Sequence, residues 1–203
     1  MPKVTAHLSI SLDGFVAGQQ QTREEPLGVR GEELHTWHMG APTNDVDWAM
    51  TERILAPRGA YIMGRNMYAP DRGEWGGSKG GEMWRGWWGD NPPYHAPVFV
   101  LTHHPHDPVE MEGGTTFHFV TGFDEAMERA VEAAGDDTVT IAGGASAVRQ
   151  GFAAGVIDEI LLSHVPIALG SGESIFEGVD EVRLHPIEVH SSPYATHVIY
   201  RRP

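Results

Sequence analysis

Three short stretches carry unusual residues where an apolar run ends: Met63-Gly64-Arg65-Asn66, Leu101-Thr102-His103-His104 and Ile141-Ala142-Gly143-Gly144-Ala145-Ser146. In an open parallel sheet, ligands bind beyond the carboxyl ends of the strands. There glycine admits a close backbone approach, and the N–H groups of a helix N-terminus face anions. A glycine pair before a helix suits a pyrophosphate, and an arginine after a strand-ending glycine suits a ribose phosphate. A hydroxyl with histidine beside it adds further contacts. Alternatively, Gly64 and Gly143-Gly144 serve tight turns and Arg65 is a solvated charge. Recurrence at three corresponding places favours the ligand.

Other constellations carry less. The chain has 12 histidines, and His103-His104-Pro105-His106-Asp107 and His35-Thr36-Trp37-His38 invite a metal site. Metal ligands converge from fixed elements, whereas adjacent histidines on a strand end point to opposite sides, so no metal is expected. Gly76-Gly77-Ser78-Lys79-Gly80 matches the G-x-S-x-G of a hydrolase nucleophile elbow. It lacks the strand before it and the helix after it that such an elbow needs, so the match is read as chance. No Gly-rich loop ends in the Gly-Lys-Ser/Thr of a triphosphate site, and no G-x-G-x-x-G follows the first strand.

The elements that position these residues follow from periodicity. Val4 to Leu12 alternates and meets Asp13-Gly14, a strand ending in a turn. Gly18 to Asn44 is polar and long, the kind of loop that is usually functional, with a short helix within Glu32 to His38. Asn44 caps a helix that has Asp45 and Asp47 in its first turn, and Val46, Ala49, Met50, Ile54 and Leu55 carry it to Pro57. Ala60 to Met63, Val98 to Leu101, Thr116 to Val120, Thr138 to Ala142 and Glu159 to Ile167 read as strands. Phe123 to Ala134, and the segment from Gly143-Gly144 to Ala153, read as helices. Val182 to His190 and Thr196 to Arg201 form a closing antiparallel pair. This alternation predicts an α/β sheet with helices on both faces and an antiparallel edge. With no linker or repeat, residues 1–203 are expected to form one domain.

Composition narrows the class. A chain of 203 residues can bury a self-sufficient core, and the absence of cysteine removes disulfides, thiolate metal sites and a cysteine nucleophile. The compartment is then most simply the cytoplasm. With 14 Lys+Arg against 28 Asp+Glu, the net charge of -14 repels phosphate backbones and anionic lipid. Nucleic acid and membrane are therefore not expected as partners. The N-terminus, Met1 to His7, runs straight into the first strand, and no apolar run approaches ~18 residues, so neither a leader nor a membrane span is expected.

Five motifs in order resemble the dihydrofolate reductase-like superfamily: Ser11 to Gly18, Ile62 to Asn66, Val100-Leu101-Thr102, Ile141 to Ala145 and Asp158 to Pro166. They are most similar to its branch related to the C-terminal reductase domain of the riboflavin-pathway deaminase–reductase. Leu169-Gly170-Ser171-Gly172 leading to Ile175-Phe176, and Ser192-Pro193 before Thr196 to Tyr200, fit the same branch. The resemblance implies a mixed, mostly parallel sheet with an antiparallel C-terminal edge, NADPH laid across the strand ends, and hydride transfer to a small heterocycle or imine-like substrate.

By this resemblance Gly64 and Arg65, with Asn66 after them, meet the adenosine phosphates, and Thr102 and His103 lie beside the adenosine ribose. Gly143, Gly144, Ala145 and Ser146 match the turn on the pyrophosphate, while Val16, Ala17 and Gly18 pass the nicotinamide. Met67 stands where many dihydrofolate reductases keep a threonine that helps hold the phosphates. On the substrate side, Asp47 matches the acidic residue of the first helix with a spacing to Gly64 that differs by one residue, and Asp45 is the fallback; both also suit helix capping. Ser163 matches a strand position that reaches the pocket, although a strand serine can equally be a packed hydroxyl. Relatives in this branch are often homodimers, and one is expected here.

Two functions from different classes follow: an NADPH-dependent reductase of a small pterin- or pyrimidine-like substrate, and a non-catalytic protein of the same fold that binds a small ligand or nucleotide. Retention of the phosphate-contacting positions favours the reductase. Trp75, Trp84, Trp87 and Trp88 crowd one Gly-rich stretch. They suit a lid over the substrate end of the cofactor, or a subunit interface or satellite core beneath the loop.

Overall fold

The structure is a computed structural model that describes residues 1–39, 44–69, 75 and 84–203. In chain order the elements are β1 (Val4–Ile10), β2 (Phe15–Ala17), a 3-10 turn at Gly31–His35, α1 (Asp45–Leu55), β3 (Ala60–Gly64), the single-turn α2 (Arg65–Tyr68) and β4 (Pro97–Leu101). Next come β5 (Val109–Glu110), β6 (Thr116–Val120), α3 (Phe123–Ala134), β7 (Val139–Gly143) and α4 (Ala145–Ala153). The chain closes with β8 (Glu159–His164), β9 (Glu173–Ser174), β10 (His185–Ser191) and β11 (Thr196–Arg201). The caps form as their chemistry dictates: Asn44 Oδ1 accepts the Val46 N–H at 2.9 Å and starts α1.

Among the described residues nine strands join in the order β10-β11-β8-β1-β7-β3-β4-β6-β5, and β2 pairs separately with β9. The strands from β8 through β6 are parallel, and β11 and β10 supply the antiparallel C-terminal edge. A second antiparallel strand, β5, closes the opposite edge against β6. Sequence pattern missed β2, β5 and β9, because elements of two or three residues are too short to show a period.

The sheet is covered on both faces. Phe123, Ala126 and Ala130 of α3, with Ala145, Ala147 and Val148 of α4, pack on Ile62, Phe99, Ile141 and Ile160. The alternate residues point the other way. Over one half of that second face, Tyr61, Met63, Val98 and Val100 meet Tyr68, Tyr94, Phe117 and Phe119. Over the other half, Leu161 and Ile199 meet Met50 of α1 together with Leu34 and Trp37 from the long first loop. Trp84 and Trp88 pack against the aromatic half, where Tyr68 and Trp84 exchange hydrogen bonds to each other's carbonyls at 2.8 and 2.7 Å. These two indoles thus add to a satellite core, because the aromatic sheet face gives them a drier partner than solvent. Residues 76–83, including the G-x-S-x-G string, lie outside the described residues.

A single exposed carboxylate ties the segment after β1 to the loop before β9. Asp13 accepts the Ser11 hydroxyl at 2.6 Å and the N–H groups of Gly170 and Leu169 at 2.6 and 3.0 Å. The Ser11 hydrogen bond, then those amides, hold its carboxyl down at about 2. Ser11 Oγ in turn accepts the Phe15 N–H, which aims Val16, Ala17 and Gly18 along β9. The chain is so close here that a Cβ on Gly18 would run into the Val29 carbonyl.

Asp13→Ala should therefore speed amide exchange in residues 13–18 and 168–174 while leaving the main sheet protected. The folded carboxyl titrates below its unfolded range, so the clamp is at full strength above pH ~4 and disappears as pH falls through about 2. Exchange rates in those two segments that match wild type at pH 7 would show that the clamp does not hold them.

Candidate active site

The four segments singled out at strand ends come together on neighbouring parallel strands. β1, β7, β3 and β4 are consecutive in the sheet, so Ser11–Gly18, Gly143–Ser146, Gly64–Asn66 and Thr102–His103 leave its carboxyl edge side by side. Gly64 and the glycine pair approach closely enough that a Cβ on Gly64 would sit 3.4 Å from the Gly144 nitrogen. Gly143 has φ +132°, where a side chain is strained, and its Cβ would also press on Met67 Sδ at 3.2 Å. By contrast, a Cβ on Gly144 would meet nothing within 4 Å. Open space thus lies over the residue that starts α4. Gly144 contributes no side-chain cap, and its carbonyl takes the Ala147 and Val148 amides, so the α4 N-terminus is left to an outside acceptor.

The polar residues of this edge differ in role. The Arg65 guanidinium lies over the Trp75 ring, 3.9 Å from its centroid, and the Trp75 indole donates to the His104 carbonyl. Trp75 also packs against Tyr68 and Phe119, so the arginine is held at the β3–β4 end by an aromatic wall. Thr102 is buried, donates its N–H to Val120 O and accepts the His104 N–H at 3.1 Å, while His103 beside it is exposed. Asn66 and Ser146 are also exposed, Asn66 donating to Gln21 Oε1 at 3.1 Å. Val16, Ala17, Gly18 and Ala145 are buried and shape the floor.

On the other side of β1 the sheet carries a buried polar row. Registered pairing places His190 of β10 opposite His197 of β11, His197 opposite Ser163 of β8, and Ser163 opposite Ser9 of β1. Opposed residues share a face, so this row points toward α1. Ser163 Oγ lies 2.8 Å from His197 Nδ1, and His197 Nε2 lies 2.8 Å from Asp47 Oδ1. The three are 1%, 0% and 3% exposed for Ser163, His197 and Asp47. Trp37 closes the row, with its ring edge-on to His197 at 4.6 Å and its indole donating to Ser9 Oγ at 2.9 Å.

This geometry separates the two acidic candidates. Asp45 is exposed in the first turn, whereas Asp47 turns inward and Asn44 does the capping. Ser163 is hydrogen-bonded to a partner rather than merely packed. His197, Ser9 and Trp37 were not singled out from sequence. His197 falls in a short β-rich run, and the one local signal is that it interrupts an apolar strand on a buried face.

Three further histidines gather beside this row. His35 Nδ1 and His38 Nε2 are 3.1 Å apart, and His38 stacks edge-on to Trp37. Burial, followed by the neighbouring His38, pushes His35 down to about 4. Burial, then Arg58 and His38, pushes His7 down to about 4. Burial and then His197 also lower His38. These rings are neutral donors and acceptors at neutral pH. Among the described residues no three His, Asp or Glu side chains are grouped as metal ligands, and no helix is long and apolar enough to cross a membrane. Cavities of about 310 and 270 Å³ lie elsewhere, one beside α4 and the last residues and one at the amino ends of β1 and β8.

Comparison with known proteins adds to this geometry. The family model of the RibD C-terminal domain matches residues 2–200. Among solved structures, a protein of Shewanella sp. PV-4 assigned to riboflavin biosynthesis is similar at 19% identity and TM-score 0.65, covering 99% of each chain. The Thermotoga maritima diaminohydroxyphosphoribosylaminopyrimidine deaminase/5-amino-6-(5-phosphoribosylamino)uracil reductase is similar at 14% identity and TM-score 0.61, over 100% of this chain and 57% of that one. This chain therefore spans little more than half of that two-activity protein. A pyrimidine reductase-like protein of Corynebacterium diphtheriae is similar at 15% identity and TM-score 0.58, over 100% and 92% of the two chains. No curated protein matches the chain.

The lowered basicity of His7 and His35 predicts an acid response. For each, the folded form resists the proton that the unfolded chain binds at about 6.5, so stability should fall as pH drops from about 6.5 toward about 4. Thermal melts across that window should show the decline, and the double variant His35→Gln, His38→Gln should lessen it, with His7 keeping its share. A wild-type midpoint that stays level from pH 7 to pH 4.5 would mean the rings are not held neutral by the fold.

Proposed function

The chain belongs to the RibD C-terminal domain family, and we propose that it is an NADPH-dependent reductase acting on the C=N or C=O carbon of a small pyrimidine- or pterin-like substrate. One observation carries this reading: four candidate contact segments emerge on consecutive parallel strands around the open space over Gly144. The residues fit the cofactor. An uncapped α4 N-terminus and glycines that bar no approach suit a pyrophosphate, and Arg65 supplies the cation for a ribose phosphate. When bound, NADPH supplies the hydride.

The chain's own residues do the rest. Gly143, Gly144 and the first amides of α4 receive the pyrophosphate, and Arg65 with Thr102 and His103 takes the adenosine end. Val16, Ala17 and Gly18, held by the Asp13 clamp, form the wall along the nicotinamide end. Asp47 presents a carboxylate from a buried, water-poor face, where its interaction with a donor on the substrate is strengthened. A homodimer belongs to the same proposal and rests on exposed Ile187 and Val189 along the edge strand β10.

Titration of NADPH and NADH against wild type, Arg65→Ala and Gly144→Val tests the cofactor assignment. Loss of a charge-assisted contact is worth roughly 1.5–3 kcal/mol, so Arg65→Ala should weaken NADPH by at least tenfold and level its advantage over NADH. The Cβ of Gly144→Val would meet no protein atom within 4 Å, so the variant should fold yet lose NADPH. An unchanged NADPH preference in Arg65→Ala, or full affinity in Gly144→Val, overturns the placement.

Asp47→Asn should lower turnover of dihydrofolate or 5-amino-6-(5-phosphoribosylamino)uracil by roughly 100-fold or more, with NADPH affinity nearly intact. Tight NADPH binding without oxidation by either compound would favour a non-catalytic binder.

A further inference from the structure

We propose that His197 is a positioning residue that locks the Asp47 carboxylate, holding Oδ1 and leaving Oδ2 as the one oxygen able to receive a substrate donor. This rests on the reading of the chain as a reductase with Asp47 in its pocket. The donor set at Asp47 gives the arrangement we propose. An ionised carboxylate only accepts, so His197 Nε2 carries the hydrogen toward Asp47 Oδ1 at 2.8 Å. In the tautomer with its hydrogen on Nε2, Nδ1 is an acceptor, and the Ser163 hydroxyl 2.8 Å away donates to it. Ser163 thus sets the tautomer, the tautomer makes His197 a donor, and the donor fixes the carboxylate.

The ring has no freedom to choose otherwise. It is fully buried between β8 and β10, and Trp37 covers it while being anchored to Ser9. Asp47 Oδ2 is also buried and makes no hydrogen bond among the described residues. A buried carboxylate oxygen left bare is costly to the folded protein and becomes favourable once a ligand N–H or O–H reaches it. Ser163, His197 and Asp47 are also the residue types of a hydrolytic triad. Here the serine is enclosed and gives its hydrogen to the ring, which suits a lock on orientation and not a nucleophile.

The titratable groups packed around His197 are Asp47 from α1, His38 with His35 beyond the 3-10 turn, His7 from β1, and His190 with Glu188 on β10. Of these, Asp47 is the one that its ring holds directly.

Two measurements test the lock. Histidine 15N NMR on the whole protein should show His197 as the Nε2–H tautomer, with that preference relaxed in Ser163→Ala. An Nδ1–H tautomer in wild type overturns the proposal, and it does so whether or not the protein reduces anything. The second measurement uses whichever of dihydrofolate or 5-amino-6-(5-phosphoribosylamino)uracil wild type turns over. His197→Gln keeps a donor and an acceptor, whereas His197→Phe keeps only the volume. His197→Phe should lose roughly 100-fold in kcat with unchanged NADPH affinity, as expected for a misplaced reacting group. His197→Gln should recover most of kcat. Equal kcat for the Phe and Gln variants would show that His197 only fills space.

Discussion

The parallel pairing of β1, β7, β3 and β4 is the constraint on which the rest depends. Parallel neighbours need crossovers: α1 lies between β1 and β3 in the chain and covers one face, and α3 and α4 follow β6 and β7 and cover the other. Once the strands run the same way, every loop that follows one of them leaves from the same edge. Residues as distant in the chain as Gly18, Gly64, Thr102 and Gly144 then share a single rim. A rim built in this way is rigid below and variable above, because the strands are buried on both faces while the loops are not.

The opposite face of the sheet is divided in two. Over β3, β4 and β6 it is dry and aromatic, with Tyr68, Phe117 and Phe119 enclosed by tryptophans. Over β1, β8 and β11 it is polar, with Ser9, Ser163 and His197 in one row under Trp37 and α1. A polar row inside a sheet is tolerated when its members satisfy one another, and a network of this kind specifies a unique arrangement more sharply than apolar packing does. Asp47 Oδ2 is the exception, and it is the atom whose surroundings a ligand would change.

Electrostatics acts locally against a contrary background. A chain with a net charge of -14 repels an anionic dinucleotide at long range, although salt screens that field within about 10 Å. Under the proposed function, affinity would come from contacts at short range: Arg65 held on Trp75, and the uncapped amides of α4. Near His197, the basicity of His7, His35 and His38 is lowered, which keeps these rings uncharged at neutral pH.

Much of this was legible in the sequence because the signals are local. Burial on both faces of the sheet writes parallel strands as apolar runs such as Val98 to Leu101, and strand-end glycines mark where the chain must turn, so α3, β6 and the four rim segments were placed within a residue or two. Asp47 and Ser163 could be nominated by resemblance, but nothing local distinguished Asp47 from Asp45 or a working serine from a packed one. That choice was made by the rotation of α1 against the sheet, which buries Asp47 and leaves Asp45 in solvent. His197 stayed invisible for the same reason. Its partners lie 34 and 150 residues away, and only the antiparallel register of β11 on β8, with α1 laid across them, brings the three side chains within hydrogen-bonding reach.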